Sequence, residues 1–305
     1  QHIIATIPVG EEPRGVGVIP GTGEVYVANV HSGTISVLRN NAVISTLPVD
    51  TLPFVIAANP RTNRIYAAGC NFLTGAGSMV IVFDGHTNQV IDTIALNQAC
   101  GLGTQGIALN SFNNRVYVSD YDDNQEVVID GATNKIVARV DLAGKSPLGV
   151  AVDLFTNQVW VALDGPTGTV DIIDGATNTV TGTLTVGSVF VESVAINPLT
   201  RRVYITSAST PSTMYVINAR THAVITTVPD GQFGNELAVD LHTNLIFVAD
   251  GQGNSLIVVD GHTNQVLATV PLNGASPAGV AVDPVTSLVY VTEFESGQVE
   301  VVTEN

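Results

Sequence analysis

Seven residues stand directly ahead of seven related apolar phrases: Arg14, Phe54, Gln105, Leu148, Glu192, Asn235 and Ala278, with Glu236 next to Asn235. Seven others close a second set of related words: Asn29, Gly69, Asp120, Leu163, Ser207, Asp250 and Glu293. His31, Tyr121, Asp122, Asp123, Asp164, Phe294 and Glu295 follow close behind that second set. Most other tandem positions are uniform, so variation at these two sets marks where a general scaffold becomes particular. Carboxylates and amides gathered in this way offer oxygen ligands to a hard divalent cation such as calcium. His31 would extend the choice to a softer metal. Alternatively, Glu192 or Glu236 acts as a general base once desolvation raises its pKa. A solvated acidic loop surface, with Arg14 as its lone cation, accounts for the same letters.

Other chemistries lack their residues. There is no G-x-S-x-G, no phosphate-binding P-loop, no H-E-x-x-H, and no cysteine pair at zinc spacing. "GLGTQG" at 101–106 has dinucleotide-fingerprint glycines, but no strand–helix–strand unit follows it. The net charge is −16, and Lys135 and Lys145 are the only lysines. Displacing counterions from phosphates needs concentrated Lys and Arg, which argues against nucleic acid and anionic membranes as partners. No stretch approaches the roughly 18 uncharged apolar residues of a membrane helix. The chain begins at Gln1 rather than Met, which points to processing or trimming.

The elements that would position these residues are legible as a repeat. "DGHTNQV" occurs at Asp84–Val90 and again at Asp260–Val266. Near-copies begin at Asp130, Asp174 and Asn218, so the turns start 46, 44, 44 and 42 residues apart. A second word precedes each: "EVYVAN" at 24, "RIYAAG" at 64, "RVYVSD" at 115, "QVWVAL" at 158, "RVYITS" at 202, "LIFVAD" at 245 and "LVYVTE" at 288. Short Val/Ile/Thr runs of period two, punctuated by Gly, Asn and Asp, predict antiparallel strands. Four strands in about 43 residues is the size of one propeller blade. The spacing therefore predicts an all-β, seven-bladed β-propeller with four antiparallel strands per blade, a single domain over 1–305. The last unit lacks its fourth strand, and residues 2–9 read like that strand, so the N-terminal segment should complete the last blade. In the turns, Asp or Asn should bond backbone N–H groups, with Gly taking the positive φ. His86 and His262 share a slot with Ala132 and Ala176, which excludes obligatory histidine chemistry there. Trp160 and the tyrosines at 26, 66, 117, 204 and 290 share one strand slot and read as packing residues.

At these words the chain resembles the YVTN-repeat β-propellers of surface-layer and exported proteins. The family tetrapeptide stands here as YVAN (26–29), YAAG (66–69), YVSD (117–120), WVAL (160–163), YITS (204–207), FVAD (247–250) and YVTE (290–293). The resemblance covers nearly the whole chain and implies export and a binding or scaffolding role. Related propellers include streptogramin lyases and lactonases, with active sites at the mouth of the central channel. No matching set of catalytic positions carries over.

Cys70 and Cys100 are the only cysteines. Cys70 is expected between the second and third strands of blade 2, and Cys100 between its fourth strand and the next blade. Both loops, "CNFLTGAGS" and "NQACGLGTQG", are longer than their counterparts and emerge on one face. A disulfide is expected, two buried thiols being the alternative. A bridge places the protein outside the cytoplasm: extracellular, periplasmic or at the cell surface. Two functions stay open. One is an exported, monomeric propeller that binds a small molecule or protein at the loop-elaborated mouth. The other is a metal- or carboxylate-dependent lyase or hydrolase at the same place. The candidate ligand-binding residues are Arg14, His31, Phe54, Gln105, Asp120, Glu192, Asn235, Glu236, Asp250 and Glu293.

Overall fold

The period-two runs form strands throughout a computed structural model that describes residues 1–71, 75, 77–98, 100–165, 167–187 and 190–304. Part of the "CNFLTGAGS" insertion and Ala99 of "NQACGLGTQG" lie outside the described residues. The described residues contain no helix and build seven four-stranded antiparallel sheets. Blade 3 shows the plan: Thr104–Asn110 is innermost, followed outwards by Arg115–Asp120, Gln125–Asp130 and Lys135–Asp141. The innermost strands of successive blades pack against one another and close a ring, Pro277–Asp283 meeting Pro13–Ile19. Turns from first to second and from third to fourth strand therefore lie on one face, here called lower. The other connections, both cysteines among them, belong to the upper face.

Each second strand is covered on both sides by neighbouring blades, which is why its residues are almost continuously apolar. Tyr26, Tyr66, Tyr117, Trp160, Tyr204 and Tyr290 are all buried there. The Tyr26 hydroxyl donates to Asn88 Oδ1 of the next blade at 2.9 Å, and Tyr66 reaches the Gly131 carbonyl at 3.5 Å. At Tyr26 and Tyr66 the aromatic slot thus bolts a blade to the next at its lower end, while the Tyr117 and Tyr204 hydroxyls are buried without a partner.

The lower turns use their letters differently from the expectation. Asp130 Oδ1 accepts the N–H groups of Ala132 at 2.8 Å and Thr133 at 3.2 Å, as foreseen. The left-handed residue, however, is Asn134 at φ 55°, not the glycine. Asparagine tolerates that region because its short amide can bond locally. Gly131 serves proximity instead: a Cβ there would come within 2.6 Å of Asn114 Oδ1.

The ring closes as the repeat requires. Ile3–Pro8 is the outer strand of the last blade, with Ile7 opposite Val299 and Pro8 opposite Gln298. Val9 N–H extends the ladder to the Gly297 carbonyl at 2.9 Å.

Cys70 and Cys100 form a disulfide with their Cα atoms 5.6 Å apart. Cys70 stands in the strand Arg64–Asn71 rather than in the loop after it, because that strand runs longer than its counterparts. The bridge spans 30 residues. In the chain-entropy treatment it constrains the unfolded state by roughly 3–4 kcal/mol. Cys70→Ser/Cys100→Ser is expected to lose about that much unfolding free energy in urea, and reductant is expected to leave the variant unchanged. A midpoint identical to wild type would refute it.

Candidate functional site

Near the axis, neighbouring inner strands approach closely. Glycine permits this at Gly15, where a Cβ would lie 2.7 Å from Val55 Cα, and at Gly279, where it would lie 2.1 Å from the Arg14 carbonyl oxygen. The channel is therefore narrow, with a cavity of about 130 Å³ at its upper end. That holds a few waters or the head of a ligand, below the roughly 300–1,000 Å³ of drug-sized sites.

Six of the seven residues ahead of the inner strands wall this cavity: Arg14, Phe54, Gln105, Glu192, Asn235 and Ala278. Glu236 joins them. Leu148 packs instead against the apolar cluster around Trp160.

Arg14 organises the site. One of its guanidinium nitrogens donates to Gln105 Oε1 at 2.9 Å, and its Cζ lies 5.6 Å from the centre of the Phe54 ring. Burial lowers the Arg14 pKa, while Glu192 and Glu236 hold it up. Neither glutamate comes within 4 Å of the guanidinium among the described residues. The channel thus keeps one cation and two carboxyl groups apart across a small polar space. Burial pushes the Glu236 carboxyl up to about 7, against the pull of Arg14 and the Val280 N–H. Burial raises Glu192 also; Arg14 opposes the rise and Asp164 adds to it. Asn235 Nδ2 donates to the Pro277 carbonyl at 2.7 Å, which fixes its amide at the blade 6–7 seam.

The disulfide is tied to this wall. Gly101, Leu102 and Gly103 donate their N–H groups to the Asp122 carboxylate at 2.8–3.0 Å. The Gln105 amide donates to the Leu102 carbonyl. Cys100 therefore anchors the loop that holds Gln105, and Gln105 holds Arg14.

The second set of candidates does not join the cavity. Asp120, Asp250 and Glu293 are buried at the upper ends of the second strands, between blades. Asp250 Oδ1 accepts the N–H groups of Gln232, Phe233 and Gly253 at 2.9–3.0 Å, a loop-fixing role. Asp120 accepts the Asn97 amide through both oxygens at 2.6 and 2.8 Å. Glu293 lies buried beside Glu300, and burial drives it up to about 8. His31 stands exposed on a loop, its Nε2 3.7 Å from Glu11, away from the channel. Among the described residues no three His, Cys, Asp or Glu side chains come together as a metal site.

Charge is segregated between the faces, which the sequence reading missed. Only Arg14, Arg139 and Lys145 belong to the upper half. Arg39, Arg61, Arg64, Arg115, Lys135, Arg201, Arg202 and Arg220 all stand at lower strand ends or in lower turns. The upper loops carry Glu11, Glu12, Asp50, Asp122, Asp123, Asp141, Asp164 and Glu295. The signal was available once each word was assigned a direction across the blade.

No family model matches the chain, and no curated protein matches it. Among solved structures it is similar to hydrazine synthase of Kuenenia stuttgartiensis, with 16% identity over 96% of this chain and 95% of that one, at a TM-score of 0.84. No helix among the described residues is long and apolar enough to cross a membrane. At that identity the likeness establishes the seven-bladed β-propeller and nothing narrower.

Proposed function

We propose that the protein is an exported binding propeller of the YVTN-repeat kind that receives a cationic ligand at the upper mouth of its channel. The carrying observation is the placement of Glu192 and Glu236 in the channel wall, beneath an upper face that holds nearly all of the net negative charge. Such a field concentrates cations and steers them inwards. Arg14 carries a single positive charge against the two carboxyl groups, and its guanidinium is held to one side by Gln105 and Phe54. The cavity volume suits an ammonium or guanidinium head, with any larger body resting on the acidic loops. The Cys70–Cys100 bond supports a compartment outside the reducing cytoplasm.

Calorimetric titration with methylammonium, guanidinium and agmatine tests the reading. Agmatine is expected to bind, to weaken as salt rises, and to lose at least tenfold in affinity in Glu192→Gln/Glu236→Gln. Absence of cation binding by the wild type, or equal binding by the variant, rejects it.

Glu236 supports a second reading. A carboxyl at about 7 in a wet channel exchanges protons near neutrality, as a general acid or base of a lyase or hydrolase must. Turnover that disappears in Glu236→Gln while the fold persists would favour this reading over simple binding.

A further inference from the structure

A groove of about 380 Å³ opens on the lower face at the seam between blades 4 and 5. Phe155, Pro198 and Ala219 supply apolar wall, Arg201 and Arg220 stand beside it, and the one carboxylate of the lining, the buried Asp153, accepts the Phe155 and Thr156 N–H groups at 2.9 and 3.2 Å. Among the described residues neither guanidinium has an ion-pair or hydrogen-bond partner. Most other lower arginines are engaged: Arg115 with Asp130, Arg39 with Glu24, and Arg202 with the Gly261 carbonyl and Asn264 of the following blade, while Arg61 stacks on the Phe112 ring.

The seam departs from the repeat at Arg201, Arg220 and Ala219, while Phe155 has a counterpart in Phe112 and Pro198 in Pro60 and Pro284. Arg201 takes φ 56° at a slot filled by Asn63, Asn114, Asn157 and Asn244 in other blades. His222 takes φ 58° at the slot of Asn88, Asn134, Asn178 and Asn264. Histidine shares the tolerance of asparagine for that region, whereas arginine there is uncommon, so Arg201 is the strained member of the pair. Arg220 replaces Ala132 and Ala176, Ala219 replaces glycine, and Gln158 stands where Arg64 and Arg202 lock the next blade. Trp160 replaces tyrosine and meets the His222 ring edge-on, centroids 5.2 Å apart. The hydroxyl bolt is thus exchanged for ring packing, and the groove lies over it.

We propose that this groove binds a carboxylate carried on an aromatic body, with Arg201 and Arg220 receiving the anion and Phe155, Pro198 and Ala219 the ring. Arginine matches carboxylate geometry with paired N–H donors, and an aromatic body fills an apolar groove of this size. The site is separate from the channel, and its fate is independent of cation binding there.

Trp160, the sole tryptophan, reports on the site because it packs in the same cluster as Ala219. Titration with 3-phenylpropionate is expected to shift its emission saturably, and 3-phenylpropionamide to bind at least tenfold more weakly. Arg201→Asn/Arg220→Ala restores the residues of the other blades, so it is expected to melt no lower than wild type while losing at least tenfold in affinity. A peptide ending in phenylalanine with a free carboxylate distinguishes a chain terminus from a free acid as the source: whichever binds more tightly names it. Equal binding of acid and amide, binding unchanged in the double variant, inorganic phosphate binding as well as the acid, or no binding of either carboxylate overturns the proposal.

Discussion

Removal of residues 1–9 is expected to lower the denaturation midpoint sharply and to cause aggregation. Ile3–Pro8 covers the outer side of Gln298–Thr303, whose inner side pairs with Leu288–Glu293, so its removal leaves Gln298–Thr303 as the sheet edge. Ile7 is buried, in one cluster with Val16, Val25, Val27 and Leu38 of blade 1 and Tyr290, Val299 and Val301 of blade 7. Deletion exposes that cluster along a whole blade and frees a row of backbone donors and acceptors, the template on which strands of other chains pair. Full burial of one Ile or Val is worth roughly 1.5–3 kcal/mol, and a domain's whole margin is about 5–15 kcal/mol. The entropy regained by nine unordered residues offsets part of the loss, leaving a deficit of several kcal/mol. The strand adds to a preformed edge, so a synthetic peptide of residues 1–9 is expected to raise the truncated protein's midpoint again. A truncated protein that melts within about 2 °C of full length would show that the closure is dispensable.

The closure was legible because a fourth strand was missing at one end and present at the other. Blade number, the aspartate of the turns and the aromatic slot were legible for the same reason, each being repeated with its exceptions visible, whereas the left-handed residue proved to be the asparagine rather than the glycine. The channel wall was half legible. The residues ahead of the innermost strands crowd the channel mouth, which identified Arg14, Phe54, Gln105, Glu192 and Asn235, with Leu148 the exception that turns into the blade core. Asp120, Asp250 and Glu293 varied in the same manner and were read with them. Their side chains lie buried between blades, where the preceding connection supplies the Gln232 and Phe233 N–H groups to Asp250 and the Asn97 amide to Asp120. That partnership joins segments with no fixed spacing in the repeat, so no periodicity announces it. Arg201 and Arg220 were passed over for the opposite reason. They sit in turns that every other blade uses only as turns, and the meaning of the exception depends on Gln158 and Trp160 in the blade before.

The buried carboxyl groups make stability depend on pH, with the maximum in mild acid. They come as pairs with divided roles. Glu300 accepts the Asn273 N–H at 3.0 and 3.2 Å, while neighbouring Glu293 has no partner for either oxygen. Asp250 collects three N–H groups, while Asp230 has both oxygens unpartnered. Burial, with the neighbour's charge adding, pushes Glu293 up to about 8 and Asp230 up to about 7. Burial pushes Glu304 up to about 7 and Asp120 up to about 6. In each case the folded state holds the proton more tightly than the unfolded chain does. The stability is therefore complete below the ordinary carboxyl range and is lost as pH rises through the folded value. Each such group costs about 1.4 kcal/mol per pH unit within its window, so Glu293 alone accounts for on the order of 4 kcal/mol between pH 4.5 and 8. Asp84, Asp130 and Asp260 work the other way: hydrogen bonds in the lower turns hold them below their ordinary range, and their contribution fades in strong acid. The denaturation midpoint is accordingly expected to be highest near pH 5 and to fall steadily towards pH 9. Glu293→Gln separates this from general charge repulsion. The variant keeps the shape of the protonated side chain but has no proton to lose, so it is expected to match wild type near pH 5 and to exceed it by several kcal/mol at pH 9. A variant equally destabilised at both values would mean that Glu293 is ionised in the fold and that the seam accommodates its charge.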